Sequence, residues 1–174
     1  MTRIYLHPLP IRIWHWVNAL GFVILIVTGA QMRYPHYFQL MSFEWAVKIH
    51  SWLGFILLAN YCIWLFYYLL TLKIKIYIPP LHHPVAFAKK ALRQAKFYGF
   101  GIMVGDENPH HPMPDDKFNP MQQVSYLMIM AALIPVQIIT GLFLWDPKLF
   151  GPAVNFIGGI QIADMIHVFL WIFF

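Results

Sequence analysis

Three histidines lie inside long apolar stretches of this 174-residue chain: His15, His50 and His167. An ionisable side chain within a bilayer-spanning helix is costly and usually marks function. Spread over three separate segments, these imidazoles predict a site assembled between helices. Imidazole is an axial ligand of haem iron, and the residue type points to that chemistry. The single cysteine, Cys62, removes two competing chemistries. No cysteine-ligated iron–sulfur cluster and no C-x-x-C-H attachment of a c-type haem can form within the chain. A haem here is expected to be held non-covalently.

The elements that must position these histidines are membrane helices. The chain is 60% hydrophobic and only 11% charged, whereas a soluble domain carries roughly 25% charged residues. Its 18% aromatic content includes seven tryptophans, a residue type that anchors helices at membrane interfaces. Four segments are predicted as helices, over residues 11–32, 45–72, 120–145 and 159–174. The first three are long enough for the hydrocarbon core, which takes roughly 20 helical residues. Backbone groups in lipid must be satisfied internally, which requires helix. Pro135 is expected to kink the third. The fourth is still apolar at Phe174, so the chain is expected to continue; a short re-entrant helix is the alternative. The first run is too long for a cleaved signal peptide and lacks a small-residue exit. The expected fold class is all-α: an integral membrane four-helix bundle in one domain over residues 1–174, its fourth helix incomplete at the C-terminus.

Orientation follows from the basic residues. Arg3, Arg12, Lys73, Lys75, Lys89, Lys90, Arg93, Lys96 and Lys117 fall on one side, and Arg33, Lys48 and Lys148 on the other. This asymmetry places the N-terminus in the cytoplasm. The net charge of +5 is thus a topology signal, not a nucleic-acid footprint. The cytoplasmic loop, residues 73–119, is long for a connection. Within it residues 84–98 alternate apolar and basic positions, as in an amphipathic helix on the inner membrane surface; a solvated basic helix that only sets orientation is the plainer reading. Residues 105–116 read as irregular loop.

Topology then gives each histidine a depth. His50 and His167 both lie near the outer face on different helices and can ligate one iron from opposite sides. His15 lies near the inner face. Its partner is expected about 14 positions beyond His167, past Phe174, on the same helix face and roughly 21 Å deeper. Gly29, 14 residues after His15, falls at the outer level, and Trp64, 14 after His50, at the inner level. Gly54, one turn from His50, would let a flat macrocycle approach closely. Arg12, one turn before His15, suits a haem propionate or a plain inner-face anchor. Asp164 suits a cap for His167 or a headgroup position. His15 taken singly also suits an interhelical hydrogen bond. His7 and His36 read as interfacial. The loop histidines His82, His83, His110 and His111 have only Asp106, Glu107, Asp115 and Asp116 nearby, a weak case for a metal site.

Arg12-Ile13-Trp14-His15-Trp16-Val17-Asn18-Ala19, followed by Thr28-Gly29, resembles the first helix of bacterial di-haem cytochromes b. These are membrane subunits of nickel-iron hydrogenases, formate dehydrogenases and thiosulfate reductases. Lys117-Phe118-Asn119-Pro120-Met121-Gln122-Gln123, with Tyr126 and Thr140-Gly141, resembles the start of that family's third helix, in the thiosulfate-reductase-like branch. His50 followed by Gly54 fits its second helix. The resemblance implies a four-helix bundle holding two b haems, with ligands from helices one, two and four and two histidines on helix four. His15, His50 and His167 match three of those four ligands. It also implies quinone chemistry near one haem, and an outer-side redox partner such as an iron–sulfur protein or a multihaem cytochrome c.

The expected function is therefore electron transfer across a bacterial inner membrane between that partner and the quinone pool, by a subunit that is not a stand-alone enzyme. Two other classes compete: a haem-free structural anchor of a redox complex, and a membrane di-iron enzyme. The latter needs clustered histidine boxes, and the loop pairs lack box spacing.

Overall fold

Many large apolar side chains of the long helices face outward while several polar ones are buried, a pattern suited to lipid surroundings. In the computed structural model, which describes residues 9–80, 82–113 and 116–174, the largest fully buried side chains are Gln31, Gln94 and Thr28. Trp16, Leu20, Trp52, Ile63 and Phe66 are exposed. Three helices are long and apolar enough to cross a membrane: α1 (Leu9–Arg33), α2 (Phe43–Leu70) and a third over Pro120–Trp145. Arg3, His7 and Asp115 lie outside the described residues.

Between α2 and the third span lies α3 (Pro84–Lys96), which starts with proline at its first turn. The helix expected over residues 84–98 runs on through a wide turn at Phe97–Gly101 and a last turn at Ile102–Val104. Gly105 ends it in the left-handed region at φ 80°. The third span, α4 (Pro120–Trp145), is α-helical to Met128, widens to a π-turn over Ile129–Leu133, and is α-helical again from Ile134. The wide turn lies immediately before Pro135, whose ring cannot coexist with a regular bond to the carbonyl four residues back. A short α5 (Gly151–Phe156) and the Gly158-Gly159 pair, both at φ 102°, turn the chain into α6 (Ile160–Leu170). Among the described residues the only β pairing is an isolated antiparallel bridge between Met113 and Asp116.

The chain forms two compact units. One is built on Tyr67–Ala132. Its centre is an aromatic cluster of Tyr68, Tyr77, Phe118 and Tyr126. There Asn119 caps α4: its side chain accepts from the Gln122 backbone N–H, and the Gln122 side chain accepts from the Asn119 N–H, a reciprocal capping box. Asn119 also donates to Tyr98 Oη at 2.8 Å. Buried Gln94 donates to Asn108 Oδ1 at 3.2 Å, so the long loop is tied to itself through its polar side chains.

The other unit comprises Pro8–Phe66 and Leu133–Phe174. In it α1 and α2 run antiparallel in close register. A methyl group on Gly21 would lie 2.7 Å from Leu57 Cδ2, so glycine is what permits the approach. Trp14 Nε1 donates to the Asn60 carbonyl at 3.0 Å. Gln31 donates to the Met41 carbonyl and accepts from the Leu40 and Met41 N–H groups, which fixes the connection between the two helices. Phe143, Val154 and Ala163, with Phe150 and Ile157 against them, pack α4, α5 and α6 together.

Candidate functional site

His50 on α2 and His167 on α6 face each other, with ring centroids 6.3 Å apart and ring planes inclined at 64°. Both are half-buried. Each ring is held by a different helix through a Thr-Gly pair. Thr28 Oγ1 on α1 is 2.9 Å from His50 Nδ1, and Thr140 Oγ1 on α4 is 3.0 Å from His167 Nδ1. The glycine that follows each threonine lies against the same ring. A Cβ on Gly29 would come within 3.3 Å of His50 Cε1, and one on Gly141 within 3.1 Å of His167 Cε1.

The centroid separation is the one that a shared metal needs. Two metal–nitrogen bonds of about 2 Å each, plus the half-width of each ring, put the centroids roughly 6 Å apart. Both Nδ1 atoms are engaged with threonine, which leaves Nε2 on each ring for a ligand. Gln137 Nε2 lies 3.2 Å from His167 Nε2, and the Gln137 Oε1 atom is buried without a hydrogen-bond partner. Among the described residues no three or more His, Cys, Asp or Glu side chains converge as a metal cage. A pair of imidazoles without a cage suits axial ligation, in which a macrocycle supplies the remaining donors.

The other sequence-level candidates fall as follows. Gly54 has open space where a side chain would be, on the same helix face as His50. Asp164 pairs with Arg33 at 3.3 Å, both partly exposed. That ion pair joins the ends of α1 and α6 one turn from His167. His15 is exposed, its ring packed edge-on to its neighbour Trp16 at 5.7 Å, and Arg12 is exposed one turn away. No other described histidine is brought to His15. Trp64 stacks on Trp14, centroids 6.1 Å apart, at the His15 end of α1. In the loop, His83 and His110 line a cavity of about 630 Å³ with Lys90, Arg93 and Asp116.

Thr28, Thr140, Gly141 and Gln137 are the site residues that spacing alone does not single out. For the threonines and Gly141 the sequence signal is the repeated Thr-Gly pair, once on α1 and once on α4; Gln137 has none.

Comparison with known proteins gives a consistent family. The family model described as prokaryotic cytochrome b561 matches residues 6–174. YdhU of Escherichia coli (strain K12), named as a cytochrome, is 35% identical over 155 residues, 86% of this chain and 56% of that protein. A protein of Bradyrhizobium diazoefficiens named as a nickel-iron hydrogenase B-type cytochrome subunit is 25% identical over 170 residues, 85% of this chain and 64% of that protein. YedZ1 of Azospira oryzae, named as a protein-methionine-sulfoxide reductase subunit, is 24% identical over 174 residues, 93% of this chain and 80% of that protein. The chain spans about half the length of YdhU and under two thirds of the hydrogenase subunit. No solved structure matches it.

Proposed function

The chain belongs to the prokaryotic cytochrome b561 family, a family of multi-pass membrane b-type cytochromes, and on that premise we propose that it is the b-type cytochrome subunit of a respiratory redox complex. In this reading it carries electrons between a redox partner on the outer side and the quinone pool in the membrane. The observation that carries it is the His50–His167 pair at 6.3 Å, offered by two helices and backed by two others.

A bound haem b supplies a one-electron iron centre that stays in place as its charge changes. The protein's own groups do the rest. His50 and His167 would hold the iron through their Nε2 atoms, the outer-side site of the sequence reading. Thr28 and Thr140 hold the rings at Nδ1, while Gly29 and Gly141 let the backbone close against them. The lipid-facing apolar surfaces of α1, α2 and α4 keep water and stray counter-charges away, which is how a protein tunes such a centre.

His15 is the candidate ligand for a second, inner-side haem. It lies 13 residues before Thr28, or about 20 Å along α1, and Arg12 beside it is the candidate propionate partner. The relatives named as hydrogenase cytochrome subunits support an external redox partner. The motifs at Arg12–Ala19 and Lys117–Gln123 support the thiosulfate-reductase-like branch. The basic residues of the loop support a cytoplasmic N-terminus in a bacterial inner membrane.

The test is a reduced-minus-oxidised spectrum of the purified full-length protein with His50→Ala and His167→Ala variants. The expected result is a b-type band in the wild type and loss of the same haem in either variant. No b-type band in the wild type, or full haem content in both variants, overturns the proposal; the second outcome would favour a structural anchor.

A further inference from the structure

We propose that Thr28 and Thr140 are paired positioning residues that lock both imidazoles in the Nδ1–H tautomer, so that each ring presents its Nε2 lone pair to the iron. The inference rests on the haem-ligand reading above and assigns the step before ligation, namely where the ring proton is held.

The argument is an accounting of protons. A threonine hydroxyl has one proton to donate and lone pairs to accept with. Thr28 Oγ1 lies 2.8 Å from the Ile24 carbonyl and 3.2 Å from the Leu25 carbonyl. Thr140 Oγ1 lies 2.8 Å from the Val136 carbonyl and 3.1 Å from the Gln137 carbonyl. Carbonyl oxygens can only accept, so a hydroxyl that bonds its own helix, as an in-helix threonine commonly does, spends its proton there, one turn back. What each hydroxyl offers the neighbouring ring is therefore a lone pair. His50 Nδ1 at 2.9 Å and His167 Nδ1 at 3.0 Å can meet it only with an N–H. A neutral imidazole has one N–H, so Nε2 carries the lone pair.

The placement of Gln137 is consistent with this tautomer. Its side-chain nitrogen is a donor, and it lies 3.2 Å from His167 Nε2. It therefore donates to the lone pair that the threonine argument assigns to that atom. In this arrangement the amide N–H occupies the position of a Lewis acid, and iron ligation requires it to turn aside.

The same device occurs twice, on α1 for the α2 histidine and on α4 for the α6 histidine. In both copies the adjoining glycine sets ring position on the Cε1 edge and the threonine sets proton position on the Nδ1 edge. An imidazole that donates from its far nitrogen is a more basic ligand, which favours the oxidised iron.

Thr28→Val and Thr140→Val keep the side-chain shape and remove the hydroxyl; Thr28→Ser and Thr140→Ser restore it. Haem affinity and midpoint potential would be measured on each haem-loaded full-length variant. The expected result is that either valine variant weakens haem binding about tenfold and raises the potential of one haem. That haem is the same in both variants, and serine restores both properties. Valine variants with wild-type affinity and potential overturn the inference. So do serine variants that fail where valine fails, or two valine variants acting on different haems. His50→Ala and His167→Ala, run alongside, separate the failures. If they lose haem while the threonine variants are silent, only this inference falls; if they keep haem, the ligand reading falls first.

Discussion

A methyl group at Gly141 would lie 3.1 Å from His167 Cε1, and one at Gly29 would lie 3.3 Å from His50 Cε1. Both separations are shorter than ordinary carbon–carbon contact, for which about 3.5–4.0 Å is optimal. The ring must therefore move by a few tenths of an ångström or swing off its threonine. Gly29→Ala and Gly141→Ala are each expected to lower haem occupancy severalfold, with Gly141→Ala the more damaging. Haem-to-protein ratios after purification check this, and the reverse order would mean that α4 yields more easily than α1. Gly54→Ala meets no protein atom, so a loss of haem in that variant would place the macrocycle against α2 near His50. At this scale the histidines are legible in the sequence because a polar residue in an apolar run stands out. Thr28-Gly29 and Thr140-Gly141 are visible as a repeated dipeptide within the motifs of the first and third helices, and Gly29 by its spacing from His15. Nothing in linear spacing tells which ring each pair touches, since those contacts bridge 22 and 27 positions.

The helices themselves carry local signals with local causes. Asn119-Pro120 followed by Gln122 reads as a helix start, and the capping box is formed. Asn119→Ala removes the cap and the hydrogen bond to Tyr98. The expected cost is about 1 kcal/mol or somewhat more, a fall in melting temperature of roughly 2–4 °C for a chain of this size. A thermal melt of the purified protein reads it, with Tyr98→Phe as the control that removes only the second bond. An unchanged melting temperature in Asn119→Ala would show that the start of α4 is held by packing alone. Pro135 announces a distortion, but not its kind. The helix accommodates the ring by widening over Ile129–Leu133, which turns the residues before the π-turn relative to those after it. That is why Gln137, Thr140 and Gly141 cannot be assigned a facing direction by counting from Pro120 with a 3.6-residue period.

At the scale of the whole molecule, polarity is distributed for a lipid environment. Gln31, Thr28 and Thr140 are buried while tryptophans and leucines of the same helices are exposed. α2 is long enough to span, so the connections at its two ends are expected in opposite compartments, and the proposed orientation puts the basic loop in the cytoplasm. In a Cys62→Ser background, Ser42→Cys is expected to react with a membrane-impermeant maleimide in intact cells. Lys90→Cys is expected to react only after lysis. The opposite pattern would invert the proposed orientation and with it the proposed side of a redox partner.

Composition and hydropathy by themselves determined that the chain is helical and membrane-embedded, because a low-dielectric solvent leaves the backbone few alternatives. The same logic made the three histidines in apolar runs stand out, because an ionisable residue is expensive in lipid. Only the tertiary structure decided which atoms of those histidines are free to act. Ring separation, the close glycines and the threonine at each ring's Nδ1 depend on side chains from four helices meeting in space. No period along one helix encodes a distance between two.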